Sequence, residues 1–77
     1  MSISNDDVIA MITEHIPNAK VTVEGDGYKY LAHIVSEAFQ GLNTMKRHQL
    51  VYAALNDAIT SGELHALTIK AYTPEEV

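Results

Sequence analysis

No cysteine occurs in this chain of 77 residues. A chain of that length buries only roughly 60% of its unfolded surface. Without a disulfide framework, its fold rests on apolar packing alone. The same absence removes a thiolate zinc site, a thiol nucleophile and an iron–sulfur cluster held on the chain's own thiolates. Hydrophobic residues make up 47% of the chain and charged residues 19%, enough apolar material for one small globular domain. Deep pockets need walls that so short a chain rarely supplies, so an enzyme is not expected.

Ten acidic residues stand against five basic ones, a net charge of −5 with the histidines neutral. That field repels phosphate backbones and disfavours sequence-independent nucleic-acid binding. The apolar runs are only a few residues long, so no membrane span is expected. The N-terminus MSISNDDVIA has no basic region followed by an apolar one, which removes a secretory signal and gives a cytoplasmic expectation.

Ser4 or Asn5 can cap a first helix. Asp6 and Asp7 suit its positive end, and Val8, Ile9, Ile12 and Ile16 follow at helical spacing. The helix should run from Asn5 to His15, ahead of Pro17. Lys20 to Glu24 alternates as a strand, Gly25-Asp26-Gly27 is a turn, and Tyr28 to Val35 is rich in aromatic and β-branched residues, so the two strands form a hairpin. Ser36 to Asn43 reads as a connecting loop with at most one helical turn. Asn43 or Thr44 can cap a second helix, whose stripe of Leu50, Val51, Ala54, Leu55, Ala58 and Ile59 would cover a sheet, with Gly62 as its C-cap. Leu64 to Ala71 alternates again, with His65, Leu67, Ile69 and Ala71 on one face. Pro74 and an acidic tail end a single domain, 1–77, with an ordered core at about 5–73. The order is helix-strand-strand-helix-strand, an α+β fold. Its crossover places the third strand parallel to the second in a three-stranded mixed sheet, with the helices on one face.

Four histidines are candidates for chemistry. His15 ends the first helix, where a cation suits the dipole. His33, in phase with Leu31 and Val35, reads as a hydrogen-bonded, partly buried side chain. Lys46-Arg47-His48 is the only basic cluster, either a solvated first turn of the second helix or a contact for an anion or partner. His65 opens the third strand directly after Ser61-Gly62-Glu63 and reads either as a structural histidine or as a metal ligand at a strand mouth. No motif with a nucleophile–base pair is present.

The GDG turn, VSEAFQG, KRHQLVYAAL and HALTIKAYTPEE, in that order, resemble the BolA-like proteins over roughly residues 5–76. The ending TIKAYTPEE is similar to the short bacterial branch of that family. The resemblance implies a class II KH-like fold and a role in iron–sulfur trafficking, iron homeostasis and stress response. In that role the protein forms a heterodimer with a monothiol glutaredoxin and shares a [2Fe-2S] cluster. The glutaredoxin supplies a cysteine thiolate and holds a glutathione whose thiolate is a second ligand. The BolA-like chain supplies a histidine from the start of its last strand, here His65. No cofactor is expected on the isolated chain. Exchanging a thiolate for neutral imidazole raises a cluster's potential and makes the ligand set protonatable, so cluster hold should weaken as pH falls.

The hairpin loop of Asp26, Gly27, Tyr28 and Lys29 would lie near that cluster. Many relatives carry a histidine or cysteine where Lys29 aligns, and a protonated lysine is a poor iron ligand. A partner or water then completes the set, or His33 reaches it, or binding is weak. Lys46 and Arg47 would steer an acidic partner patch or contact glutathione carboxylates. The competing expectation is a nucleic-acid-binding transcriptional regulator using the KH-like fold and the basic cluster. The GxxG loop of KH domains is missing, with glycines only at 25, 27, 41 and 62.

Overall fold

The computed structural model describes residues 2–77; residue 1 of the expected 1–77 domain lies outside the described residues. Helix α1 spans Asn5–His15, strands β1 and β2 span Lys20–Gly25 and Lys29–Val35, helices α2 and α3 span Thr44–Ala54 and Asn56–Thr60, and strand β3 spans Ala66–Tyr72. Short 3-10 turns occupy Glu37–Phe39 and Pro74–Glu76.

Helices α1 and α2 each start where a side chain satisfies a free backbone N–H, whereas α3 starts at Leu55 without one. Ser4 Oγ accepts from the Asp7 N–H at 3.1 Å, and Asn43 Oδ1 accepts from the Lys46 N–H at 2.9 Å. Of each pair of expected caps, the first residue does the work. Ile3 precedes the first cap and belongs to the same buried cluster as Val8, the pairing of a hydrophobic staple.

The sheet has the order β1-β2-β3, with β1 antiparallel and β3 parallel to β2. The register aligns Val21 with Ile34, Val23 with Ala32, Tyr30 with Leu67 and Ala32 with Ile69. Because side chains alternate along a strand, these residues share one face. On it Tyr30, Ala32, Ile34 and Ile69 are buried with Val8, Ile12, Val51, Leu55 and Ala58 from the helices. The opposite face carries Thr22, His33, Lys70 and Tyr72.

Three features add to or depart from expectation. The second helix is divided: Leu55, at φ −105° and ψ 9°, ends α2 and starts α3. Its N–H is shared between the Val51 and Tyr52 carbonyls, and its side chain is fully buried. The division turns the last helical residues, so Ile59 is exposed instead of joining the stripe. The 36–43 segment is part of the core, because its one helical turn buries Phe39 completely. Packing also extends beyond 5–73 at both ends. Ile3 is buried and its N–H bonds the Glu63 carbonyl, while the acidic tail folds back onto α2 through Glu76. None of the described helices is long and apolar enough to cross a membrane.

Candidate functional site

His65 sits one residue before β3, exposed, at the end of the sheet where the β1–β2 hairpin turns. Extending the parallel register by one step from Lys29–Ala66 brings Tyr28 opposite His65. The Ala66 N–H bonds the Tyr28 carbonyl at 3.2 Å. The two rings stack, 5.5 Å between centroids and 26° between planes.

The turn that presents Tyr28 is braced by Asp26, whose Oδ1 accepts the N–H groups of both Tyr28 and Lys29 at 2.9 Å. Those bonds, the Lys29 one first and the Tyr28 one second, hold the Asp26 carboxyl below its ordinary range. Gly27 closes the turn at φ +97°, a conformation that favours glycine. A second set of bonds fixes the end of the sheet. The buried Tyr30 hydroxyl donates to the Ile3 carbonyl, and the Ile3 N–H to the Glu63 carbonyl two residues before His65. The N-terminal segment thus ties the hairpin to the loop that carries His65.

Lys29 points the other way. It pairs with Ala66 and lies on the sheet face opposite Tyr30, so the hairpin residue on the His65 side is Tyr28. His33 does not reach the site either. Its register partner Lys70 lies five residues beyond His65, roughly 17 Å along the strand. His33 is half-buried, but its ring packs at 5.1 Å against Tyr72, and among the described residues no hydrogen bond to it occurs. At the end of α1, His15 Nδ1 donates to the Met11 carbonyl at 3.3 Å, a contact internal to the helix.

The basic cluster is remote from His65 and partly consumed. Arg47 donates to the Leu42 and Ala71 carbonyls at 2.9 and 3.1 Å and to both Glu76 carboxylate oxygens, the shorter at 2.7 Å. With 15% of its side chain exposed, it acts as an internal clasp instead of a free contact for an anion. The Arg47 guanidinium, then the Thr73 N–H, pull the Glu76 carboxyl down to about 2. Ala71 is six residues past His65, roughly 20 Å along β3. The basic cluster and His65 thus stand at opposite ends of β3. Lys46 is exposed and His48 half-buried at the same remote end.

Among the described residues no group of three or more His, Asp or Glu side chains converges on a metal position. A surface hollow of about 530 Å³ lies at the far end of the sheet, lined by residues that include Lys20, Val35, Glu37 and Pro74. His65 stands outside it. Stacking occupies a face of the imidazole, whereas the ring nitrogens lie in the ring plane, and among the described residues neither is hydrogen-bonded. The ring edge of His65 is therefore open to solvent, with no partner for either nitrogen among the described residues.

The family profile described as BolA-like protein matches residues 7–76. The chain belongs to the BolA-like family. It is 35% identical over 72 residues to the acid stress protein IbaG of Escherichia coli (strain K12), covering 94% of this chain and 86% of that protein. Its fold matches a BolA protein homologue from Coxiella burnetii with a TM-score of 0.85 at 35% identity, covering 96% of this chain and 95% of that one. The BolA domain of SufE1 from Arabidopsis thaliana matches with a TM-score of 0.86 at 33% identity, over 100% of this chain and 99% of that one. These BolA-like relatives share the α+β architecture over essentially the whole chain.

The end of the sheet that sequence reasoning singled out, His65 with the hairpin loop, is one structural unit. The Tyr28–His65 stack went unrecognised, although the parallel register expected for β3 already implied that the starts of β2 and β3 meet. The clasp of Arg47 had little local signal, since two of its three partner residues, Ala71 and Glu76, lie 24 and 29 positions away.

Proposed function

We propose that this BolA-like chain is an adaptor in iron–sulfur cluster trafficking: it binds a monothiol glutaredoxin and gives His65 as one ligand to a [2Fe-2S] cluster shared with that partner and its glutathione. The cluster is cargo, and the thiolates come from the partner because this chain has none. The observation that supports this reading is the position of His65: exposed, with its ring nitrogens without hydrogen-bond partners among the described residues and its backbone anchored by the Ala66 bond to the hairpin. An imidazole so placed supplies a neutral donor that raises the cluster's potential and releases it on protonation, which suits transfer or sensing. The resemblance of the chain to an acid stress protein supports a stress-related setting for this activity.

The nucleic-acid reading has less to stand on. Arg47, the central member of the only basic cluster, has its donors engaged within the chain. The test of the adaptor reading is to load a monothiol glutaredoxin with cluster in the presence of glutathione and add this chain. Visible absorption and circular dichroism should change on mixing with the wild type. With His65→Ala they should stay close to those of the glutaredoxin alone. Identical spectra for wild type and His65→Ala would remove His65 as a ligand.

A further inference from the structure

We propose that Tyr28 is a positioning residue for His65, fixing the plane of the imidazole so that an in-plane nitrogen faces outward for the incoming metal. The proposal rests on the reading of His65 as a cluster ligand and adds a residue to it. His65 lies outside the β3 ladder, in the loop that follows Gly62. Strand pairing fixes its backbone through Ala66 but leaves its side chain free to rotate. The Tyr28 ring is what its imidazole meets, in an offset stack at 5.5 Å with the planes 26° apart.

A metal–imidazole bond lies in the ring plane, along the nitrogen lone pair. Fixing the plane therefore fixes the directions from which a metal is accepted. Covering one ring face also leaves the ring edge as the open approach. Tyr28 is itself held: its N–H bonds Asp26 Oδ1 at 2.9 Å, and its carbonyl takes the Ala66 N–H. The positioning runs from Asp26 to Tyr28 to the His65 ring. Lys29, on the other sheet face, takes no part.

Tyr28 is 60% exposed, so its replacement leaves the core intact. The test compares wild type, Tyr28→Phe, Tyr28→Leu and His65→Ala in two measurements. In the free chain, the His65 ring protons are assigned by NMR through their loss in His65→Ala. The stack predicts that Tyr28→Leu removes the ring-current shift of those protons and Tyr28→Phe keeps it. In titrations of cluster-loaded monothiol glutaredoxin with glutathione, Tyr28→Leu should raise the concentration of chain needed for half the spectral change by about two- to tenfold. Tyr28→Phe should restore the wild-type value. If His65→Ala leaves the cluster spectrum unchanged, the ligand reading itself fails. If His65→Ala changes the spectrum but Tyr28→Leu behaves as wild type in both measurements, the positioning role alone is overturned. It is also overturned if Tyr28→Phe is as impaired as Tyr28→Leu, because the hydroxyl and not the ring would then be responsible.

Discussion

Gly25, at the end of β1, shows how tightly single residues are specified near the candidate site. A methyl group added there would lie 2.6 Å from Tyr30 Cδ2, 3.0 Å from the Lys29 carbonyl and 3.1 Å from Asn5 Oδ1. Tyr30 cannot yield, because its ring is buried and its hydroxyl is bonded to Ile3. Gly25→Ala should therefore destabilise the fold by about 1–3 kcal/mol, as overpacking does, measured by urea denaturation. A wild-type midpoint would mean that the ring has room to move. At this scale the sequence was legible where a side chain acts on its neighbours: Ser4 and Asn43 as caps, and Gly25-Asp26-Gly27 as a turn. It was silent where partners are far apart. Arg47 looked like a free cation because Ala71 and Glu76, 24 and 29 positions away, meet it only after folding.

At the scale of elements, the tail and α2 form one device. Glu76 accepts from Arg47 and from the Thr73 N–H, and Glu75 accepts from Gln40 Nε2 at 2.6 Å. Arg47 also takes up the Ala71 carbonyl on β3, which has no strand beyond it. Engaging such a carbonyl keeps part of an open strand edge from pairing with another chain. The pull on Glu76 gives the clasp a pH signature. Its carboxyl sits at about 2 in the folded chain, against an ordinary value of 4.5. A lowered folded value contributes stability that is fully present above about pH 4.5 and is lost as pH falls through about 2. Thermal melts should thus fall across that window in the wild type, and the fall should be shallower in Glu76→Gln. Equal slopes would show that the clasp is not coupled to folding. The division at Leu55 also belongs to this scale. No glycine or proline marks it, and a continuous apolar stripe runs through it, so periodicity favours one helix. Complete burial of Leu55 goes with the break, a tertiary preference that a local pattern does not carry.

For the molecule as a whole, the parallel register of β2 and β3 decides where function can sit. It brings the starts of both strands, and with them Tyr28 and His65, to one end of the sheet. The start of α2 and the tail meet at the other. Apart from the division at Leu55, the architecture was legible because the helices and strands carried their own periodicity and boundary signals. The site was legible only in part. His65 and the hairpin loop stood out through a resemblance, whereas the inward use of Arg47 and the outward turn of Lys29 are consequences of three-dimensional placement. With no thiol and only the His65 imidazole exposed at this end of the sheet, the proposed function makes the chain half of a site. Incubated alone with iron, sulfide and glutathione, it should develop no cluster absorption, which should appear only when the glutaredoxin is present. A coloured species stable on the isolated chain would show that it holds a complete ligand set of its own.

The most direct measurement is pulsed electron paramagnetic resonance on the reduced cluster in the complex, with this chain alone labelled with ¹⁵N-histidine. Ligation by His65 predicts a strong hyperfine coupling from a directly bound ¹⁵N nucleus that disappears in His65→Ala. No such coupling in the labelled wild type, or a coupling that persists in His65→Ala, would contradict it.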